Sequence, residues 1–213
     1  MPSVRKLFIF AAAALLAFVL YKALVLRAFY LAFLAKRGPE AIPTLIDALD
    51  DRGEVVRAVT LSSLARFGAQ AVAPLVQALQ DHDRDRREGA AITLGLIARQ
   101  KNAGPAINEA IAPLKKALDD EYGRVRVQAA RALWYAEHDP GTVIATLIAS
   151  SKEKDLETRY SAFMALEDMG RAATDAVPAL MEALRDENET VRQWAVSALK
   201  EIDPAAARRA TLP

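Results

Sequence analysis

The sequence predicts an all-α protein: a right-handed α-solenoid of about five helical hairpins over residues 38–204, preceded by a single transmembrane helix within residues 1–37. Two observations predict it. The first is a register repeated five times between Ala41 and Asp203. A leucine (Leu49, Leu79, Leu118, Leu184, with Ser151 in the fourth copy) is followed two residues later by an acid: Asp51, Asp81, Asp120, Glu153, Asp186. Six residues after the acid stands an arginine (Arg57, Arg87, Arg126, Arg159, Arg192), and seven further on a leucine again: Leu64, Leu94, Leu133, Leu166, Leu199. Intervals of 30 to 39 residues mean stacked hairpins, because one hairpin cannot bury its own apolar face. The second observation is the run Leu7–Tyr21, LFIFAAAALLAFVLY, fifteen residues without a charge.

At 1.5 Å per residue, a bilayer core of ~30 Å needs about 20 helical residues. Leu7–Leu26 meets that length with one lysine, Lys22, near its end, where the ammonium can snorkel to the headgroups. Arg27, Lys36 and Arg37 flank Phe29, Tyr30 and Phe33, a mixture favoured at the membrane interface, so lipid contact is expected through residues 7–35. Two other readings exist. A cleaved signal peptide would share the basic start, Arg5-Lys6, but lacks a convincing small-x-small cleavage site. A soluble cap helix on the first repeat should turn a polar face outward, which Leu7–Tyr21 does not offer. The basic residues behind the span outnumber those ahead of it. The positive-inside rule then tips the solenoid toward the cytoplasmic side of a single-pass cell-membrane protein, while a short basic N-terminus before a signal anchor also fits the opposite orientation.

Each hairpin is helical by spacing. Leu45 and Leu49, Leu75 and Leu79, Leu114 and Leu118, Leu180 and Leu184 are four-residue steps on one helix face. Prolines just ahead (Pro43, Pro74, Pro113, Pro178) suit a first helical turn. In the second helix, the third residue after the arginine is small or β-branched (Thr60, Ala90, Ala129, Ala162, Ala195) and completes an inward stripe with the leucines. Gly68 and Gly170 are expected as left-handed C-caps, and Gln100–Glu109 as a surface loop or extended helix end. The fourth unit has Ala145 for proline and Ser151 for leucine, so its first helix is expected to be the loosest. Residues 205–213 read as a tail.

The stretches PLVQALQD, PLKKALDDEYGRVRVQAARAL and PALMEALRDENETVRQWAVSAL resemble the HEAT-repeat family, in particular the short bacterial form called phycobilisome-lyase-like HEAT repeats. The resemblance covers roughly residues 41–203 and rests on register across the copies. It implies that the turn acid and second-helix arginine form a structural ladder between neighbouring repeats: Asp51, Arg57, Asp81, Arg87, Asp120, Arg126, Glu153, Arg159, Asp186 and Arg192. An acid and an arginine occurring five times at one spacing are stacking hardware rather than a catalytic pair. Lyase activity on bilins is implied by the name alone.

Charge narrows the function classes. Residues 1–37 hold six Lys/Arg and no acid, so the remainder carries 22 basic and 27 acidic residues. A mildly acidic solenoid is a poor ligand for phosphate backbones, which argues against nucleic acid; the basic flank suits anionic lipid. No cysteine occurs, which excludes disulfides and fits either side of a membrane. Only two histidines exist, His82 and His138, each before an aspartate, and no His-Glu pair of the kind a related di-iron hydroxylase family uses. Phosphate-loop, Gly-x-Ser-x-Gly and His-Glu-x-x-His patterns are missing. The expectation is no catalysis, no metal and no cofactor.

Function is then sought on the exposed face of the second helices, one, five and nine residues after each arginine. The ends of the stack are polar there (Ser62, Arg66; Gln193, Ser197), whereas the centre offers Ile92, Leu96, Val127, Arg131, Trp134, Tyr135, Tyr160 and Met164. An apolar, aromatic patch bracketed by polar ends suits docking of a helix or extended segment of a protein partner, a subunit of a membrane complex. The same side chains could instead be packed between neighbouring helices. The expected role is a membrane-anchored scaffold, and the alternative is a bilin-lyase-like or other small-molecule enzyme on the same solenoid.

Overall fold

A computed structural model describes residues 22–211, Ala103 excepted. Helix α1 covers residues 22–37. The hairpins follow as α2 (Ile42–Asp47) and α3 (Glu54–Arg66), α4 (Ala69–Ala78) and α5 (Arg84–Gln100), α6 (Asn108–Ala117) and α7 (Gly123–Glu137), α8 (Pro140–Ser150) and α9 (Leu156–Met169), then α10 (Val177–Ala183) and α11 (Glu189–Ile202). A last helix, α12, runs Pro204–Thr211. The described residues contain helices, turns and no strand.

The repeated stripe is the core. Thr60, Ala90, Ala129, Ala162 and Ala195 are all fully buried, as are the leucines seven residues after each arginine. Small residues also let α5 and α7 approach closely: a Cβ on Gly95 would sit 3.4 Å from the Ala132 backbone on α7. Consecutive second helices α3, α5, α7, α9 and α11 pack directly on one another along the whole stack. Among first helices, comparable packing joins only α2 to α4 and α4 to α6. A two-layered stack bends toward its closer-spaced layer, so the second helices line the inside of the curve.

Helix ends follow from local chemistry. The first acid of a turn accepts the backbone N–H two residues on (Gly53 to Asp51, 2.8 Å; Asp83 to Asp81, 2.8 Å; Asn188 to Asp186, 2.9 Å). A second polar residue caps the next helix: Asp83, Asp155 and Asn188 accept from N–H groups of the first turn. Two sequence expectations change here. Pro74 and Pro113 lie inside α4 and α6 instead of opening them, because the preceding turns already run on as helix from Ala69 and Asn108. Gly68 and Gly170 have positive φ (55° and 54°) but ψ of −125° and −134°, a glycine conformation rather than a left-handed helical cap. The left-handed caps belong to Lys101 and His138, both at φ 55°. In the fourth unit Ser151 fills the leucine slot buried, its hydroxyl donating to the Ile148 carbonyl at 2.8 Å.

The N-terminal expectation divides. Residues 7–21, the heart of the expected span, lie outside the described residues; no helix among the described residues is long and apolar enough to cross a membrane. Residues 22–37 correct the expected division at residue 38. Ala28 and Leu31 are buried and Leu34 and Ala35 pack against the solenoid core. Arg27 pairs with Asp51 at 3.0 Å, and a Cβ on Gly53 would fall 2.9 Å from Leu24. The inner side of α1 therefore covers the first hairpin, whose apolar end would otherwise face water, and lipid contact along all of residues 7–35 does not hold. Gly38 ends α1 at φ 143° before the chain turns into α2. At the other end the expected tail is helical to Thr211, with Ala206 and Ala207 buried against α11.

Candidate partner-docking face and arginine ladder

Three rungs of the ladder are regular. Arg87 holds Asp120 with two bonds (2.7 and 3.0 Å), Arg126 pairs with Glu153, and Arg159 with Asp186. Each arginine thus reaches the turn acid of the following repeat. Its other nitrogen ties back to carbonyls of its own turn: Arg87 to Asp81 (2.9 Å), Arg126 to Asp120, Arg192 to Asp186 (2.7 Å). Arg159 bonds and the Asn188 N–H hold the Asp186 carboxyl below its ordinary range. These arginines are spoken for by structure, not chemistry.

The first rung differs. Arg57 bypasses Asp81 and pairs with Glu88 at 3.0 Å; Arg124 of α7 binds the same carboxylate at 2.8 Å. Glu88 is almost fully buried between these two guanidinium groups, which join repeats one and three through repeat two. Asp81 is left to Arg86, which also reaches Asp50. The signal was present in sequence: only α5 has an acid directly after its ladder arginine, where other units carry Ala58, Val127, Tyr160 and Gln193. Asp51, at the start of the stack, takes Arg27 from α1.

On the inner face the expected residues separate. Ile92, Leu96, Arg131 and Tyr135 come together with Arg99 and Gln128 around a shallow cleft between α5 and α7. Val127 is fully buried in the core cluster, which corrects its expected exposure. Trp134 packs partly against the core, its ring 5.2 Å from His138. Tyr160 is exposed and its ring lies 5.0 Å from that of Trp194 in a tilted pair; Met164 is half-buried on the same helix.

Asp168 of α9, absent from the sequence reading, organises the cleft. It accepts the Tyr135 hydroxyl at 2.8 Å and pairs with Arg131. Burial works against the charge on Arg131, but Asp168 and Tyr135 together outweigh it and raise the guanidinium's pKa. Burial, then donation to Asp168, raises the Tyr135 phenol, which stays a donor at neutral pH. Arg99 lies 5.7 Å from the Tyr135 ring and Arg131 5.9 Å. The result is a fixed aromatic ring with cations over it, beside an apolar wall.

The cleft volume is about 40 Å³, room for a side-chain tip. Larger hollows of about 620 and 830 Å³ border the first helices, the former walled by Lys152, Arg159, Glu182 and Asp186. Those charges are already committed to one another, Lys152 to Glu182 at 2.6 Å and Arg159 to Asp186. Among the described residues no group of three or more His, Asp or Glu is placed to hold a metal ion. His82 is a solvent-facing turn residue 3.0 Å from Asp81.

Solved structures similar to this chain share its architecture. YibA of E. coli is 23% identical with a TM-score of 0.63, covering 85% of this chain and 66% of that one. A chain of the CpcE–CpcF complex of phycocyanin lyase from Nostoc sp. PCC7120 is 25% identical with a TM-score of 0.57, covering 75% of this chain and 98% of that one. A designed armadillo repeat protein in complex with the peptide (KR)4 is 22% identical with a TM-score of 0.51, covering 83% and 91%. No curated protein matches by sequence. The family model for HEAT repeats matches residues 23–95, 42–134 and 111–200, starting within α1, and the chain belongs to the HEAT-repeat family.

Proposed function

We propose that this HEAT-repeat protein is a non-enzymatic scaffold that docks a partner protein, a subunit of a membrane complex, on the inner face of α5, α7 and α9. Its leading apolar segment tethers it to the cell membrane with the solenoid on the cytoplasmic side. The observation that carries the docking reading is the Ile92–Leu96–Tyr135 cleft, where an apolar wall and a fixed aromatic with cations over its ring adjoin a polar periphery. This is the anatomy of a protein-docking hot spot. A small-molecule site needs roughly 300–1,000 Å³ with free polar groups converging on it. The cleft is about a tenth of that size, and the polar groups around the 620 Å³ hollow are already engaged. The similar CpcE–CpcF structure is a complex of two chains, which favours assembly with a partner over action alone. The tether rests on the fifteen uncharged residues Leu7–Tyr21 and the acid-free basic flank.

The test is purification in mild detergent followed by identification of bound proteins, for the natural chain and for Leu96→Asp and Tyr135→Ser. One discrete partner should be retained by the natural chain and lost by both variants, with helicity unchanged. Retention by both variants would remove the cleft from the reading, and a bound chromophore in place of a protein would favour the enzyme alternative.

A further inference from the structure

The outward side of α1 is the most exposed apolar surface among the described residues. Leu26, Phe29, Tyr30 and Phe33 are 68%, 71%, 57% and 59% exposed. Their spacing of three, four and seven residues puts them on one helix face. Ala28 and Leu31, buried on the solenoid, lie on the opposite face. Monomeric soluble proteins seldom leave such a stripe in water. At ~100° per residue Lys22 and Arg37 fall on the outer side as well, one at each end of the stripe, with Lys36 flanking it. Aromatic residues between cations are the composition of a helix lying in the headgroup region.

We propose that this outer face is seated in the headgroup–acyl boundary of an anionic bilayer while the inner face remains docked on the first hairpin. On this proposal, which rests on the tether reading above, α1 is a rigid bracket and not a leash. It fixes the angle at which the solenoid, and with it the α5–α7 cleft, is presented to the membrane. Charge selects lipid over a second copy: two α1 faces would bring like charges together, since residues 1–37 carry six Lys/Arg and no acid. Anionic headgroups complement that excess. Continuity selects it as well, because the stripe leads back toward the uncharged run Leu7–Tyr21.

The chain has no cysteine, so single-site labelling is clean. Full-length Phe29→Cys, Phe33→Cys and, as control, Ala73→Cys on the exposed side of α4 would each carry an environment-sensitive fluorophore. They would be reconstituted with phosphatidylglycerol-containing vesicles bearing a lipid-attached quencher. In parallel, Leu24→Cys/Gly53→Cys would be joined by a short thiol cross-linker to report docking of α1. The expected result is a blue shift and strong quenching at positions 29 and 33, neither at 73, with the cross-link formed in the vesicles. Labels at 29 and 33 that stay in water on vesicle-bound protein would overturn the bracket and leave the tether standing. Quenching with loss of the cross-link would show α1 leaving the solenoid, which also overturns it. Protection without lipid, with cross-linking between chains, would assign the face to self-association. Failure to associate with vesicles at all would remove the tether itself.

Discussion

Replacing Arg87 with alanine isolates what one rung of the ladder contributes. Arg87 makes two bonds to Asp120 and two to the carbonyls of Asp81 and His82, and the side chains of the ion pair are only 10% and 11% exposed. Breaking a buried ion pair by removing one partner costs about 3–5 kcal/mol. Asp120 keeps the Tyr122 N–H at 2.9 Å after the change, so it is not stranded and the low end applies, about 3 kcal/mol. Arg192 is the internal control. It makes the same bonds to its own turn, 2.7 and 3.0 Å to the carbonyls of Asp186 and Glu187, but among the described residues it has no ion pair to a following repeat. Arg192→Ala should therefore cost about 1 kcal/mol, the net worth of ordinary hydrogen bonds. Urea unfolding followed by circular dichroism gives both values, and hydrogen exchange should locate the Arg87→Ala loosening in the second and third hairpins, since a solenoid couples mainly nearest neighbours. Equal costs for the two variants would refute the claim that the rungs hold repeats together.

Three other outcomes follow. Glu88→Ala strands the Arg57 and Arg124 charges together and should destabilise by about 3 kcal/mol, whereas Glu88→Ala combined with Arg57→Ala should cost less than the separate losses added; a double-mutant cycle in urea checks this. Asp81, Asp155 and Asp186 have depressed carboxyl pKa values. The causes are chiefly the Asp83 N–H at Asp81, the Thr158 hydroxyl and N–H at Asp155, and Arg159 with the Asn188 N–H at Asp186. Their stabilisation is complete above the unfolded carboxylate value of about 3.9 and is lost as pH falls through the lower folded values, so the urea midpoint should drop only below about pH 4. Val127→Asp buries a carboxylate in the centre of the stack and should unfold it, while Leu96→Asp, at a partly buried position on the cleft wall, should lower the melting temperature by clearly less; differential scanning calorimetry ranks them.

The hairpins could be read from sequence because each is made of local signals repeated in register. An alanine or threonine that must vanish between two helices, such as Ala129, and a leucine that must follow it, such as Leu133, cannot drift. What escaped was set by neighbours. Val127 occupies the same slot as exposed Ala58 and Tyr160, and only its position at the centre of the stack, with helices on either side, buries it. Asp168 carries no local signal in the sequence, yet it comes within reach of Arg131 and Tyr135 from another repeat. The aromatic positions of α1 suggested lipid and did not reveal that Ala28 and Leu31, on the same helix, belong to the solenoid. A helix with two apolar faces has no polar side to mark where one role ends. Arg27, read as an interfacial cation, closes the first turn through Asp51.

The central claim, that the α5–α7 cleft is where a protein partner sits, is tested most directly by site-specific photo-cross-linking in native membranes. A benzophenone side chain at Leu96 or Tyr135 should give one discrete adduct with a single partner, and the same group at Gln77, exposed on α4, should give none. Equal labelling from the three positions, or adducts from Gln77 alone, would contradict the account.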